Sequence, residues 1–293
     1  TRVRSSAASD VYKRQDKVRP IVRESWNRCR RHAVDPGTKE APLEVASDAQ
    51  LGEVRQRSRL FQAAHALLPV VGHCLAGSPC LIGLYDDRGL TLDALSFEQA
   101  KKAAENAKAV SGARWIEREV GTDAVPTCLV LGVPVEIGAS EHYVEAWHSW
   151  WGAAAPVRDP FTKKLIGALG LYGYVKVPHL RSLALVTDFA AAIERELRTS
   201  LLESQLAVFK KYEEYTRRLP NCGVLAIGPS GHILSSTATG FQILGLSYES
   251  LKNGMSIQDM LQSDSMIEPD RIRPPKELFL RGRGGERMKA EVL

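Results

Sequence analysis

The amino-acid sequence predicts an α+β fold in two globular units joined by a long helix. Three observations carry this. Short apolar runs bounded by turn residues recur between Cys80 and Tyr172, as expected of an antiparallel sheet. His179 to Arg218 then contains neither Gly nor Pro, and Leu183, Val186, Ala190, Ile193, Leu197 and Leu201 follow spacings of three and four. After Leu219-Pro220 a second strand–turn–strand pattern begins. A chain of 293 residues, 44% hydrophobic and 25% charged, fits two ordinary globular domains. No apolar run reaches the ~18 residues of a membrane helix, and no segment has the order of a secretory signal.

The elements follow in order. Val18 to Arg31 reads as a basic helix with Val22, Trp26 and Cys29 on one face, ended by Asp35-Pro36-Gly37. A polar linker runs to Asp48. Leu51 to Leu75 reads as a helical pattern, buried through Leu60, Ala64, Leu67, Leu68 and Val71, with Pro69 bending it or marking a junction. Cys80 to Tyr85 and Leu90 to Leu95 form a strand pair around the turn Asp86-Asp87-Arg88-Gly89. Phe97 to Val110 and Thr122 to Leu131 are helical, the second capped by Thr122. Val133 to Ile137, Trp151 to Val157 and Leu165 to Tyr172 are strands. The Gly- and Pro-free stretch is a helix of ~35 residues, ~50 Å long. Its first half is expected on its own sheet, and its apolar stripe is expected to pair with a second copy through Leu183, Ile193, Leu197 and Leu201. The second unit offers strands at Gly223 to Ile227 and His232 to Ser235, short helices, and a final hairpin from Leu278 to Leu293. The chain stops within that last strand, so this unit is expected to be truncated.

Charge and cysteines bound the chemistry. The formal net charge is +5. Ser5 to Gln15 resembles a translated sequencing adaptor, so residues 1–15 are expected to be an artefact rather than part of the protein. Setting aside Arg2, Arg4, Lys13 and Arg14 against Asp10 leaves about +2, and no broad nucleic-acid footprint. The cysteines, Cys29, Cys74, Cys80, Cys128 and Cys222, are odd in number and none is spaced Cys-x-x-Cys. Neither a disulfide framework nor a zinc knuckle is expected, and a reducing cytoplasm fits.

Three segments carry a family resemblance. VRPIVRESWNRCRRHAVDP (Val18 to Pro36), GTDAVPTCLVLGVPV (Gly121 to Val135) and EHYVEAWHSWWGAAAPVRDP (Glu141 to Pro160) resemble, in order and spacing, the sensory region of acetoin-operon-type sigma-54-dependent transcription activators. The resemblance covers Val18 to Arg198. It implies a GAF domain over residues 49–178, with an antiparallel sheet and flanking helices, then a connector helix over 179–218. Residues 219–293 resemble a PAS domain, through their strand–turn–strand start and Leu244 to Glu249. The family also implies a small-molecule effector, perceived by the GAF domain. An AAA+ ATPase acting on sigma-54 RNA polymerase and a helix-turn-helix binding DNA would follow, neither contained in this sequence. No Gly-x-x-x-x-Gly-Lys-[Ser/Thr] is present. Asp123 stands where the family commonly has Asn, and Pro126 replaces a Gly. Gly152 stands where Cys is frequent, and Leu169 to Gly173 replaces Leu-Asp-Leu-Ser-Gly.

The candidate ligand residues are Trp115, Asp123, Thr127, His142, His148 and Trp150. Trp147, Trp150 and Trp151 crowd within five positions, and apolar aromatic walls with a few polar anchors suit a small-ligand pocket. The same aromatics are equally readable as plain core. His142, Glu145 and His148 have His-x-x-Glu-x-x-His spacing, which reads better as a polar pocket rim than as a metal site. No cofactor is implied. Two further readings stay open: the sensory part of a kinase or cyclase, and a GAF-fold methionine sulfoxide reductase using Cys74, Cys80 and Cys128.

Overall fold

The computed structural model describes residues 18–39, 44–75, 77–96, 101–102, 105–106, 108–174, 181–229, 231–247, 249, 256–257, 277–281 and 287–291. The adaptor-like segment and half of the helix expected over Phe97 to Val110 lie outside them. The chain divides into a unit of residues 1–197 and a unit of residues 198–293.

The first unit is built on five antiparallel strands: β1 (Cys80–Asp86), β2 (Thr91–Ser96), β3 (Val135–Gly138), β4 (Trp150–Arg158) and β5 (Leu165–Tyr174). Their order across the sheet is β2-β1-β5-β4-β3. Helices α1 (Pro20–Arg31), α2 (Asp48–Arg57), α3 (Arg59–Cys74), α4 (Glu117–Val120) and α5 (Ala124–Leu131) flank it. This is the α+β, GAF-like arrangement that the sequence predicts.

Successive strand residues point to opposite faces, so the sheet carries two cores. Leu81, Tyr85, Trp150, Ala154 and Tyr172 face one, with α1, α5 and Trp115. Ile82, Leu84, Trp151, Ala153, Leu169 and Leu171 face the other, with Leu60, Ala64, Val71, Val186, Ala190, Ile193 and Leu197. Both faces are covered, which explains why the strands are almost wholly buried rather than alternating with solvent.

Two local readings change. The helix expected over Leu51 to Leu75 is two helices, separated at Ser58 rather than bent at Pro69. Ser58 is extended, and its hydroxyl accepts the Phe61 N–H to start α3. The cap of α5 is Asp123 rather than Thr122: the Asp123 carboxylate accepts the Val125 N–H, while the Thr122 hydroxyl turns to Ser25.

Helix α6 (Ser182–Arg218) runs 37 residues, about 55 Å. Of the stripe expected to pair with a second copy, Ile193 and Leu197 belong to the core of their own chain, Leu183 is half-buried against it, and Leu201 is buried as well. These residues are committed to intramolecular packing. The exposed large apolar residues of α6 are Leu202, Leu206 and Phe209. In the second unit, β6 (Leu225–Ile227) pairs with β7 (Ile233–Ser236), α7 (Ala238–Leu244) follows, and β8 (Glu277–Arg281) pairs with β9 (Arg287–Glu291).

Burial of Leu197 and exposure of Leu206 give opposite expectations. Leu197→Asp places an unpaired charge in the core and should lower the stability of the first unit by several kcal/mol, on the order of the largest single-residue effects. Leu206→Asp should leave it within about 0.5 kcal/mol. Chemical denaturation of both variants measures the contrast.

Candidate functional site

The site starts from three glycines. Gly83 on β1 faces Gly170 on β5, and Gly152 on β4 faces Tyr172. A Cβ at Gly170 would meet Tyr172 at 2.9 Å and Val125 at 2.6 Å, at Gly152 it would meet Tyr172 at 2.6 Å, and at Gly83 it would meet Tyr85 at 2.6 Å. The missing side chains clear a floor on which the rings of Tyr85 and Tyr172 lie, both fully inside the protein.

Tyr172 donates its hydroxyl to Asp123 Oδ1 at 2.7 Å. That oxygen also accepts the Val125 N–H at 3.3 Å, at the start of α5. The second carboxylate oxygen faces His142 Nδ1 at 3.4 Å. His142 Nδ1 also lies 3.2 Å from the Thr122 carbonyl oxygen. Burial pushes the Asp123 carboxyl up to about 6, against the hydrogen bonds from Tyr172 and the α5 backbone. Burial pushes His142 down to about 4, so at neutral pH the imidazole is uncharged. Tyr172 and Tyr85 are raised, by burial first and then by the Asp123 charge.

Aromatic residues close the space beside this carboxylate. The segment Gly112 to Trp115 is zipped along the β1–β2 turn, with the Trp115 N–H donating to the Gly89 carbonyl at 2.7 Å. Gly89 has φ +77, and a Cβ there would lie 2.4 Å from the Trp115 carbonyl oxygen, so this close approach needs glycine. The Trp115 ring leans on Trp147 at 5.2 Å and on Tyr172 at 5.9 Å. Trp147 is held by its indole N–H, which donates to the Val120 carbonyl at 3.0 Å.

These residues enclose a small hollow lined by Leu81, Ala109, Trp115, Asp123, Trp147, Trp150 and Tyr172. Its free volume is about 10 Å³, room for one water-sized group. A guest of several heavy atoms enters only when the rings move. The Trp115 indole nitrogen is buried without a hydrogen-bond partner.

Of the six sequence-derived residues, Trp115, Asp123 and Trp150 line the hollow. His142 sits behind Asp123 as its neighbour. Thr127 lies one turn along α5, its buried hydroxyl without a partner and off the lining. His148 is a correction: it is exposed, and its Nε2 meets the His142 carbonyl at 3.2 Å, so it serves the outer surface of the loop. Glu145 is also exposed while His142 is buried, so the His-x-x-Glu-x-x-His set does not converge; among the described residues no His/Cys/Asp/Glu group forms a metal cluster. Tyr172, Tyr85 and Trp147 complete the site; the readable signal for the tyrosines was the run of glycines on three neighbouring strands.

The cysteines do not form a redox pair. Cys80 and Cys128 lie in cores on opposite faces of the sheet. Burial raises both thiols, Cys128 to about 12, which disfavours the thiolate. Cys74 is exposed.

Helix α1 is fastened to the same place. Arg28 forms a paired contact with the buried Glu117 at 2.5 and 2.8 Å. Ser25 bonds Glu117 and the Thr122 hydroxyl, the latter at 2.7 Å. Trp26 donates its indole N–H to the Glu141 carbonyl at 2.8 Å, and Arg19 pairs with the Glu141 carboxylate.

Residues 1–193 match the family described as "MimR, N-terminal domain". The chain belongs to this family. It is 28% identical over 222 residues to AcoR of Bacillus subtilis, an acetoin dehydrogenase operon transcriptional activator, covering 75% of this chain and 36% of that protein. It is 28% identical over 214 residues to MimR of Mycolicibacterium goodii, a propane 2-monooxygenase operon transcriptional activator, covering 73% and 35%. An uncharacterized 47.3 kDa protein in the thcA 5' region of Rhodococcus erythropolis is 34% identical over 189 residues, covering 64% and 43%. The chain thus spans 35–43% of the length of these relatives. Its fold resembles the DhaR N-terminal region solved as the E. coli DhaR(N)–DhaL complex, with a TM-score of 0.62, 20% identity and 93% coverage of both chains. No described helix of this family member is long and apolar enough to cross a membrane.

Two predictions follow from the geometry. The Asp123 carboxyl has a raised folded value, about 6 against 3.8. Its contribution to stability is therefore present at low pH and lost as pH rises through about 6. Asp123→Asn keeps the shape and removes the charge. Its melting temperature should gain on the parent as pH rises from 4.5 to 8, by up to about 3 kcal/mol of stability. A difference that stays flat with pH would show that Asp123 bears no such cost. Arg28→Ala strands the Glu117 carboxylate and should cost about 3 kcal/mol in urea unfolding at neutral pH.

Proposed function

We propose that this chain is the signal-sensing region of a bacterial transcriptional activator, with a small-molecule effector bound in the first unit. The observation that carries this reading is the hollow of Trp115, Trp147, Trp150 and Tyr172 beside the buried Asp123 carboxylate. Apolar aromatic walls around a few polar groups suit a small ligand. The relatives are named as transcriptional activators, which supports the class of output.

The free space is about 10 Å³, so effector binding and ring movement are one event. A ligand that binds only the opened form shifts the equilibrium by its differential affinity. The moving groups touch two reporters. Thr122 and Glu117 carry α1, and β4 and β5 carry the sheet face on which α6 lies. We place the relay along α6 to the second unit, which we read as a PAS domain. Two copies would pair along the distal half of α6, where Leu202, Leu206 and Phe209 are exposed at helical spacing. In the whole protein, an AAA+ ATPase acting on sigma-54 polymerase and a DNA-binding helix-turn-helix would receive the signal in the cytoplasm.

A screen of small metabolites by thermal shift tests the reading. A true effector raises the melting temperature with the logarithm of its concentration. It should also change tryptophan emission, since three indoles line the hollow. Trp115→Ala should reduce both responses at least tenfold in apparent affinity. A ligand response untouched by Trp115→Ala would move the effector site elsewhere.

A further inference from the structure

The loop between β3 and β4 carries Trp147, one wall of the hollow, and is built from two short 3-10 turns, Ala139–Glu141 and Glu145–Trp147. Such turns do not fix a loop by themselves. Residues 19–38, which include α1, hold it at both ends. Arg19 donates from Nε and Nη2 to the Glu141 carboxylate at 2.7 and 2.6 Å, and to the Glu136 carbonyl at 2.5 Å. Beyond α1, the Pro36 carbonyl accepts the Glu145 N–H at 2.9 Å, and the Thr38 carbonyl accepts the Ala146 N–H at 3.2 Å. Asp35 shapes that end, its Oδ1 accepting the Gly37 N–H at 3.0 Å.

The hold differs along the segment. Its middle is fixed: Val22, Trp26 and Cys29 are buried in the core that also contains Trp147 and Trp150, and Arg28 pairs with the buried Glu117. Its ends are lightly held. The side chains of Arg19 and Glu141 are 49% and 30% exposed, and Asp35 and Gly37 are exposed as well. Exposed pairs contribute little, and segments held by them open first. Both light ends lie on the loop that carries Trp147.

We infer that residues 19–38 form a strap that sets how readily the hollow opens, by holding the 139–148 loop, and with it the Trp147 ring, against Trp115. The inference rests on the effector-pocket reading above and adds the regulation of that site. An effector that needs the opened form binds with an apparent affinity scaled by the fraction already open. Weakening the strap therefore tightens effector binding. Loss of one exposed ion pair shifts such an opening by roughly two- to fivefold.

Acrylamide quenching of the tryptophan emission of the full chain tests this without an effector, since three indoles line the hollow. Arg19→Ala and Asp35→Ala each release one end and leave the buried face of α1 intact. Arg55→Ala is the control: Arg55 donates to the Leu92 carbonyl at 2.6 Å on β2, at the opposite edge of the sheet. Both strap variants should raise the quenching constant roughly two- to fivefold, with faster amide hydrogen exchange at Glu145 and Ala146. Arg55→Ala should match the parent. Parent-level quenching in either strap variant overturns the inference, even where exchange quickens, because the loop would then loosen without opening the hollow. An equal rise in Arg55→Ala overturns it too, since the change would be general loosening. The metabolite screen judges the pocket reading separately: an effector response lost in Trp115→Ala keeps that reading even where the strap fails.

Discussion

One carboxylate organises the first unit. Asp123 has no solvent, so each neighbour must supply what water would. The backbone of α5 gives an N–H, Tyr172 gives a hydroxyl, and His142 stands at the second oxygen. Each partner then demands its own support. Tyr172 reaches Asp123 only because Gly152 and Gly170 leave the sheet bare beneath its ring. His142 is turned inward by its contact with the Thr122 carbonyl. Thr122 in turn holds Ser25 and so fixes α1. A single buried charge thereby ties together a strand, two helices and a loop distant in sequence, at a cost that only dense hydrogen bonding offsets.

The closed state of the hollow follows from ordinary packing. Indole and phenol rings attract one another beyond simple area burial, by about 1 kcal/mol per tilted pair. Trp115 makes two such contacts. The rings therefore meet each other, and little free space is left beside Asp123. A Trp-rich segment is therefore readable both as plain core and as a pocket wall, because the rings that line the small hollow also pack against one another.

The sequence disclosed periodicity well and partnership poorly. Strands β1, β4 and β5 were legible from apolar runs, turn residues and Asp159-Pro160, because local sterics decide them. The long helix was legible from the missing Gly and Pro. The cap of α5 was misread because Thr122 and Asp123 are both good caps; Ser25, nearly a hundred positions earlier, claimed Thr122. His148 was misplaced because spacing along a loop without regular period says nothing about direction. Tyr172 and Tyr85 went unremarked although Gly83, Gly152 and Gly170 announced a close approach. The stripe from Leu183 to Leu201 was read as covered first by its own sheet and also by a second copy, since a helix face records only that something apolar covers it. The sheet of the same chain covers Leu183, Ile193 and Leu197.

That last substitution has a mechanical consequence. Alternation along a strand puts neighbouring residues on opposite faces. On β4, Trp150 lines the hollow while Trp151 packs in the opposite core. On β5, Tyr172 holds Asp123 while Leu169 and Leu171 share a core with Val186, Ala190, Ile193 and Leu197 of α6. Interiors this dense do not absorb a displaced ring locally. Displacing Tyr172 or Trp150 would strain β4 and β5, and behind them lie α3, through Leu60, Ala64 and Val71, and the first half of α6. The first half of α6 is thereby held against the back of the strands whose other face carries Trp150 and Tyr172.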